Sequence, residues 1–533
     1  MRSSNSHMRF DEDTGRTNFA VYLQCLAEEL LINILSFLPF QDILRCAQTC
    51  RTLCAVAKGS IELQYLIELG ANGLTPVAQT ESYLPTTERL QLLLRSASAW
   101  NNDRNVPIRT HTLSNDWFTA AAHFTGGCLG MSGNASRCYE LVDMRHNPAP
   151  GTPPRRRWTW EGYSQDPGDF VCCVSVDASQ DVLVVASFLA RRTSGEPLFR
   201  LDTFPVAIDN PRPSDAKTRL YSHRAKSHGS WRWFSSNVRI YGQCLAFCGA
   251  AHRDDNLAQY HWAIAGHDRI RPRWSLQIWN WQTEGPSQEC VITGECTTND
   301  TVADFSFLDT HRLILLKSGG QLEVYSFADL SQPPELQRRY SLPIPKNPIF
   351  RLHFTPPDVS PPQVSSWAYR SGRKPPLWAT NLEDQVLGIT LSTRTVIIIS
   401  IRAILHPCLE WEEEIIEGVR SIPWLTWGPS NSRCFTDSLA PILCGIHGSR
   451  VVLTYHFNRL TVADFNPWRV RRSKRDVVSH PTMVENTFLE GKVTTCLPYA
   501  ESVQDGSLGR FVSSIHLDED GLVLVGWAKL FSR

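Results

Sequence analysis

An α+β fold, with a small helical N-terminal part followed by an all-β body, is predicted from a change of period along the chain. Up to about residue 110 apolar residues recur at helical spacing, and beyond it they alternate in runs separated by Gly, Pro and Asp. A third observation is size. A chain of 533 residues exceeds what one hydrophobic core fills, so two or more domains are expected.

Residues 1–20 carry no apolar run and are expected to be a disordered tail, without the pattern of a secretory signal. The first helix lies in LAEELLINILSFLPFQDILRCAQTCRTLC, residues 26–54. Leu30, Leu31, Ile34, Leu35 and Leu38 fall at i, i+1, i+4, i+5 and i+8, so they line one apolar stripe of a helix that Pro39 ends. Ile43, Ala47, Cys50 and Cys54 mark one face of a second helix, with Asp42 near its start, where a carboxylate suits the orphan amides and the dipole. Two short helices bury too little surface to be stable alone. Either the remainder of the chain or a partner protein must cover them.

This stretch resembles an F-box. The family pattern is Leu-Pro-x-Glu, two apolar residues, Ile-Leu after two free positions, a Leu-Pro turn, an Asp-apolar-Leu step, and a Cys next to a basic residue. The chain supplies Leu26, Glu29, Leu30, Leu31, Ile34, Leu35, Leu38, Pro39, Asp42, Ile43, Leu44, Cys50 and Arg51, and departs at Ala27, where the pattern has proline. The resemblance implies an F-box over residues 21–68 that docks a Skp-type adaptor and, through it, a cullin ubiquitin ligase. The adaptor contacts it implies are Leu26, Glu29, Leu30, Ile34, Leu35, Leu38, Pro39, Ile43, Leu44 and Cys50. The missing proline leaves the lead-in to the helix less pre-organised.

Two further helices are predicted. IELQYLIELGANGL, from Ile61, places Leu63, Leu66 and Ile67 on one face, with Gly70 and Gly73 closing it; TTERLQLLLRSASAW, from Thr86, has Leu90, Leu93, Leu94 and Ala97 as its stripe and ends at Trp100. Together they form a helical linker over residues 69–110, expected to pack on the next domain and fix the direction of the F-box. The pair is similar to the segment C-terminal to the F-box in many basidiomycete F-box proteins, which points to a fungal family.

The β body is expected over residues 111–533. VCCVSVDASQDVLVVA, FSFLDTHRLILL and SSIHLDEDGLVLVG each read as a hairpin, with Asp177, Asp309 and Asp518 accepting backbone hydrogen bonds in the turns. A second unit recurs. Leu276-Gln-Ile278-Trp279-Asn280-Trp281 is echoed by Leu322-Glu-Val324-Tyr325-Ser-Phe327 and by Leu460-Thr-Val462-Ala-Asp464-Phe465, similar to a strand of a WD-type blade. Leu276 and Leu322 stand one blade length apart, and a strand-rich region of this size fills a β-propeller of six to eight blades, with seven favoured. The Pro-rich stretches 147–158, 205–214 and 342–376 and the basic stretch 469–475 are expected to be loops.

Charge and cysteine usage narrow the function. Formal net charge is zero, so neither a nucleic acid nor a membrane surface is an expected partner, and the absence of an apolar run of spanning length points to an intracellular protein, cytoplasmic or nuclear. The 16 cysteines read as buried small residues or free thiols: Cys46, Cys50 and Cys54 have core spacing on one helix, and Cys172 and Cys173 point to opposite faces of a strand. No Cys-x-x-Cys pair, nucleophile elbow, zinc-protease motif, phosphate loop or dinucleotide fingerprint is present; Gly126-Gly127-x-x-Gly130 reads as a tight turn, and no enzyme activity or cofactor is expected. The alternate pairs Trp158 and Trp160, Trp231 and Trp233, Trp279 and Trp281, and the near-alternate Trp424 and Trp427, read mainly as core packing.

Two basic runs stand out, Arg155, Arg156 and Arg157, and Arg469, Arg471, Arg472, Lys474 and Arg475, with Arg155, Arg156, Arg157, Arg469, Arg471 and Arg472 as candidate client contacts. Arginine binds phosphate and carboxylate bidentately, so either run suits an acidic or phosphorylated client, although the balanced net charge favours solvated loops, and a nuclear-import signal is a third use of the second run. The function expected is a substrate receptor of a Skp-cullin-F-box ligase, its propeller holding an unknown protein client. An F-box scaffold outside a ligase is the alternative, and a quinoprotein-like propeller enzyme a third, for which calcium-ligating acids are not identifiable.

Overall fold

The computed structural model describes residues 26–77, 84–101 and 108–527, except 114–121, 133–137, 144–154, 161–168, 254–272, 284–289, 344–349, 355–376, 486–490, 506–511 and shorter loop stretches. The expected tail 1–20, the turn glycines Gly126 and Gly127, and Asp518 lie outside the described residues.

The N-terminal region is helical: α1 (Glu28–Ser36), α2 (Phe40–Thr49), α3 (Arg51–Gly59), α4 (Ile61–Ala71) and α5 (Thr86–Asn101). In place of the single second helix expected there are two. Cys50 is extended, at φ −151° and ψ 161°, and its Sγ accepts from Leu53 N at 3.5 Å, so it caps α3 and does not continue α2. Leu31, Leu35, Ile43, Leu53, Val56, Leu63 and Ile67 form the core of these helices. Gly70 is not a stop but an interior position: a Cβ there would lie 2.0 Å from Phe40 Cδ1, so the absence of a side chain lets α2 and α4 approach. The stop is Gly73, at φ +68°, a left-handed conformation that glycine adopts without strain.

Beyond Ile108 the chain is organised as successive sheets whose inner strands run antiparallel to one another; in the fifth and sixth the chain leaves to form strands elsewhere before the fourth strand is added. The first contains Ala122–Thr125 through Arg155–Thr159, the second Phe170–Asp177 through Thr218–Arg224, and the third Gly229–Tyr241 through Val291–Glu295. The fourth begins at Val302–Phe307, the fifth at Arg351–His353 and the sixth at Cys444–His447. The three predicted hairpins are the first two strands of the second, fourth and last sheets, and the recurring Leu-x-apolar unit is the third strand of the third, fourth and sixth. Asp177 accepts from Gln180 N, and Asp309 from His311 N and Arg312 N, as turn carboxylates do.

The ring is closed. The first strand of the third sheet touches those of the second and fourth, the fifth touches the fourth and sixth, and Val512–Leu517 of the last touches both Cys444–His447 and Ala122–Thr125; the first and second sheets meet through Cys128–Ser132 and Phe170–Asp177. Leu522–Trp527 pairs with Val512–Leu517 and, in parallel, with Ile108–Leu113, so the final strand joins an early one and leaves the last sheet without an open edge there. This is a β-propeller. Cores lie between adjacent sheets, as where Phe199 of the second meets Phe247 of the third at 5.0 Å. His353, His447 and His516 sit on first strands near the axis, and burial pushes each imidazole down to about 4, with Arg351 adding to the effect at His353 and Arg450 at His447.

Several sequence expectations need correction. Arg155–Thr159 is not a loop but the outermost strand of the first sheet, and Pro467–Arg472 is a short helix. Trp424 and Trp427 lie on a helix, Trp424–Asn431, where a separation of three puts them on one face, their rings 5.2 Å apart and T-shaped. Cys172 and Cys173 do not face opposite ways: a register shift between Val171 and Cys173 bulges the strand, and both pack against the same core.

Candidate functional site

Helix α1 turns two apolar faces in different directions. Leu31 and Leu35 point into the helical core, whereas Leu30 and Ile34, at i and i+4, are on the outside, and Leu26 just before the helix and Phe37 at its C-cap extend them into an exposed apolar row. Leu30 is 51 % exposed, Ile34 47 % and Phe37 82 %, against 4 % for Leu35. Ile61, at the start of α4, is exposed as well. An apolar row of this length on a short helix is surface that normally finds a partner.

The expected adaptor contacts therefore divide. Leu26, Leu30 and Ile34 are on the outer row, Glu29 and Pro39 are exposed beside it, and Leu38, Leu44 and Cys50 are half-buried against the helical core. Leu35 and Ile43, 0 % exposed in the case of Ile43, are corrected from contact residues to core residues: they hold the outer row in place from behind. Phe37 escapes the sequence reading because it lies between the Ser36 end of α1 and Pro39, where a connection is expected. Its signal is the i, i+3 spacing from Ile34.

The helices are fastened to the propeller through the segment Asp464-Phe-Asn-Pro-Trp-Arg-Val-Arg-Arg472. Asp464 ends the third strand of the sixth sheet and accepts from Asn466 N at 2.9 Å and Ser449 Oγ at 2.9 Å. Asn466 Nδ2 then donates to the Ala71 carbonyl at the end of α4, at 3.1 Å. The Trp468 ring meets Phe40 of α2 edge-on, centroids 5.0 Å apart. Arg469, Arg471 and Arg472 of the second basic run belong to this junction: Arg469 Nη1 lies 3.0 Å from Asp464 Oδ2, Arg471 covers the Trp468 ring at 4.8 Å, and Arg472 Nη1 is 3.7 Å from Glu68 Oε2. Lys474 and Arg475 lie outside the described residues.

Two more attachments accompany it. Leu74–Pro76 pairs antiparallel with Trp378–Thr380, and Asn381 N donates to the Gly73 carbonyl at 2.7 Å. At the far end of α5, Trp100 is buried among Val452, Leu460, Ile515 and Leu522 of the sixth and last sheets, beneath the Arg450 guanidinium at 5.0 Å. Three separate contacts cannot pivot together, so the outer row of α1 has a fixed direction relative to the propeller. The first basic run is elsewhere, on the outermost strand of the first sheet, with Arg157 exposed.

Residues 26–63 match the F-box-like family model. The outer row lies inside that match, as does the core behind it up to Leu63. A search of curated proteins gives no match. Solved structures similar to the chain include the WD40 β-propeller domain of Doa1, at 8 % identity and TM-score 0.33, with 75 % of this chain and 86 % of that chain covered. The β-propeller domain of Cps50 (Swd1) from Myceliophteria thermophila is similar at 9 % identity and TM-score 0.31, covering 68 % and 85 %. AztD from Citrobacter koseri is similar at 8 % identity and TM-score 0.31, covering 73 % and 89 %. The propeller is defined by the closed ring of sheets, independently of these likenesses.

Among the described residues no group of three or more His, Cys, Asp or Glu is placed to hold a metal ion, and no helix is long and apolar enough to cross a membrane. The geometry offers surfaces: an apolar row on the F-box-like domain, and the faces and edges of a rigid ring.

Proposed function

We propose that the chain is the substrate-receptor subunit of a Skp-cullin-F-box type ubiquitin ligase. The observation that carries this is the outer row Leu26, Leu30, Ile34 and Phe37, left uncovered within an F-box-like domain that is braced against a propeller. The adaptor covers the row, and burying three or four such side chains is worth on the order of 5 kcal/mol. The propeller holds the client. The chain performs no bond chemistry: it acts by proximity, since a client held at a fixed distance from a charged conjugating enzyme reacts as if at high local concentration. The braced junction serves that purpose, because a freely swinging propeller would dilute the client. The similarity of residues 61–100 to the segment after the F-box in basidiomycete proteins supports the same reading, including a fungal, intracellular setting and a boundary between linker and propeller near residue 110.

Arg155, Arg156 and Arg157, on the outermost strand of the first sheet, are proposed as a contact for an acidic or phosphorylated client, while Arg469, Arg471 and Arg472 are engaged at the junction. Co-expression of the tagged chain with a Skp-type adaptor and a cullin tests the proposal. Recovery of both partners in one complex supports it. Recovery of the adaptor without the cullin makes the chain a scaffold outside a ligase, and recovery of neither refutes adaptor docking.

A further inference from the structure

The fourth sheet is longer than its neighbours. Its meander ends at Glu335–Ser341, but Val419–Ile422 runs parallel beside that strand, with Arg339 opposite Ser421 and Tyr340 opposite Ile422. Glu414–Ile416 then pairs antiparallel with Val419–Ile422 and is the last strand of a six-stranded sheet. The added hairpin is held firmly. Glu413 carboxylate oxygens lie 3.7 Å from Arg338 Nε and 3.5 Å from Arg420 Nη1, and the strand Glu335–Ser341 on which the hairpin rests is itself anchored, Tyr340 Oη donating to the Ile404 carbonyl and Trp427 Nε1 to the Ser341 carbonyl. Gly418, at φ +79°, makes the turn between the two strands.

Among the described residues nothing pairs with the outer side of Glu414–Ile416. An open strand edge is a template for another strand, and one already fixed in extended form costs little further ordering to use. Its side chains are unusual for an edge. Ile415 is 77 % exposed, Leu409 in the segment leading to it is fully exposed, and Glu410, Glu412 and Glu414 stand exposed around them. Pairing with a second copy of the chain would bring these carboxylates together, and like charges across a strand pair are unfavourable. A strand of opposite charge meets no such penalty.

We propose that Glu414–Ile416 is a docking edge for a basic, extended segment of a partner protein. The segment adds to the sheet as a further strand, its alternate apolar side chains covering Ile415 and Leu409 and its Lys or Arg side chains meeting Glu410, Glu412 and Glu414. This names the chemistry of one client-binding edge and so rests on the receptor reading, but the binding is measured on the chain alone, without adaptor.

The probe is a fluorescent peptide of sequence Lys-Val-Lys-Val-Arg-Val-Lys, titrated with the full chain at low salt and followed by anisotropy. Saturable binding is expected, weakened at least tenfold in the variant Glu410→Gln/Glu412→Gln/Glu414→Gln and in Ile415→Asp, and absent for the peptide with Glu in place of each Lys and Arg. The glutamine variant keeps the Glu413 contacts, so its hairpin stays formed; adaptor affinity of the same samples reports separately on the receptor reading. No saturable binding to the wild-type chain, equal binding of the acidic peptide, or undiminished binding in either variant overturns the proposal and leaves the carboxylates as protection against self-pairing.

Discussion

In the propeller, apolar side chains such as Leu183, Leu245, Leu315 and Ile397 are covered because every sheet has a neighbour on each side and the last sheet takes in Ile108–Leu113. In the F-box-like domain, residues of the same kind, Leu30, Ile34 and Phe37, stand in solvent on a helix whose other face is packed. The ring satisfies itself by closure, whereas the helices are satisfied on one side only. The contrast separates two roles that hydropathy alone merges: residues that hold the chain together, and residues that await a partner.

The contrast breaks most visibly by substitution on the two faces of α1. Leu30→Ala/Ile34→Ala/Phe37→Ala is expected to weaken adaptor binding by on the order of 4 kcal/mol, about a thousandfold, with the circular dichroism spectrum and melting temperature unchanged. Leu35→Ala is expected to do the reverse, lowering the stability of the helical domain by about 3 kcal/mol and binding only through that loss. Isothermal titration and thermal melts on the same samples separate the two; equal loss of stability in both variants would mean that the outer row is packed in solution.

The junction comes next in size. Trp468→Ala removes the ring between Phe40 and Arg471, and a loss of about 2 kcal/mol in the free energy of holding helices against propeller is expected. Limited proteolysis between residues 72 and 86 should then accelerate while affinity of the F-box-like domain for the adaptor stays the same. Unaltered proteolysis would assign the bracing to Trp100 and the Leu74–Pro76 pairing instead.

Acid sharpens the comparison because the neutral histidines belong to the ring. His353, His447 and His516 take up protons at about 4 when folded but near 6.5 when unfolded, so the unfolded chain binds more protons between those values. Their stabilisation is complete above pH 6.5 and is lost as pH falls toward 4, at up to about 1.4 kcal/mol per pH unit for each histidine. Urea unfolding at pH 7, 6 and 5 monitored by tryptophan fluorescence should show the propeller transition moving to lower urea. A midpoint independent of pH would mean that these imidazoles are already hydrated.

The smallest effect expected is at Ala27, which precedes α1 with φ −60° and no side-chain cap. That angle is the one a proline ring enforces, so Ala27→Pro is expected to stabilise the helical domain by about 0.5 kcal/mol through the unfolded state and to tighten adaptor binding slightly. A destabilised domain in thermal melts would show that the amide of Ala27 is needed.

Much of this is legible in the sequence because period reports burial. The hairpins at 171–186, 305–316 and 513–526 read as short apolar runs about a polar turn, as suits strands packed between neighbouring sheets, and the repeated unit at Leu276, Leu322 and Leu460 marks the third strand of three sheets. The two faces of α1 are not separable, since Leu at position 30 and Leu at position 35 carry the same hydropathy and only the arrangement of α2 to α4 decides which is inside. The break at Cys50 is hidden because cysteine is an uncommon cap and its spacing from Cys46 and Cys54 imitates a continuous face. Arg155, Arg156 and Arg157 hide a strand because an outermost strand can carry charge on its exposed positions, and Arg469, Arg471 and Arg472 read as a client contact because their partners, Asp464, Trp468 and Glu68, include one roughly 400 residues away in sequence.

Hydrogen–deuterium exchange of the full chain, with and without a Skp-type adaptor, tests the central claim most directly. The account predicts new protection confined to residues 26–39 and the start of α4 at Ile61, with the propeller sheets and the 466–472 junction unchanged. Protection falling on the propeller, or none anywhere at saturating adaptor, would contradict it.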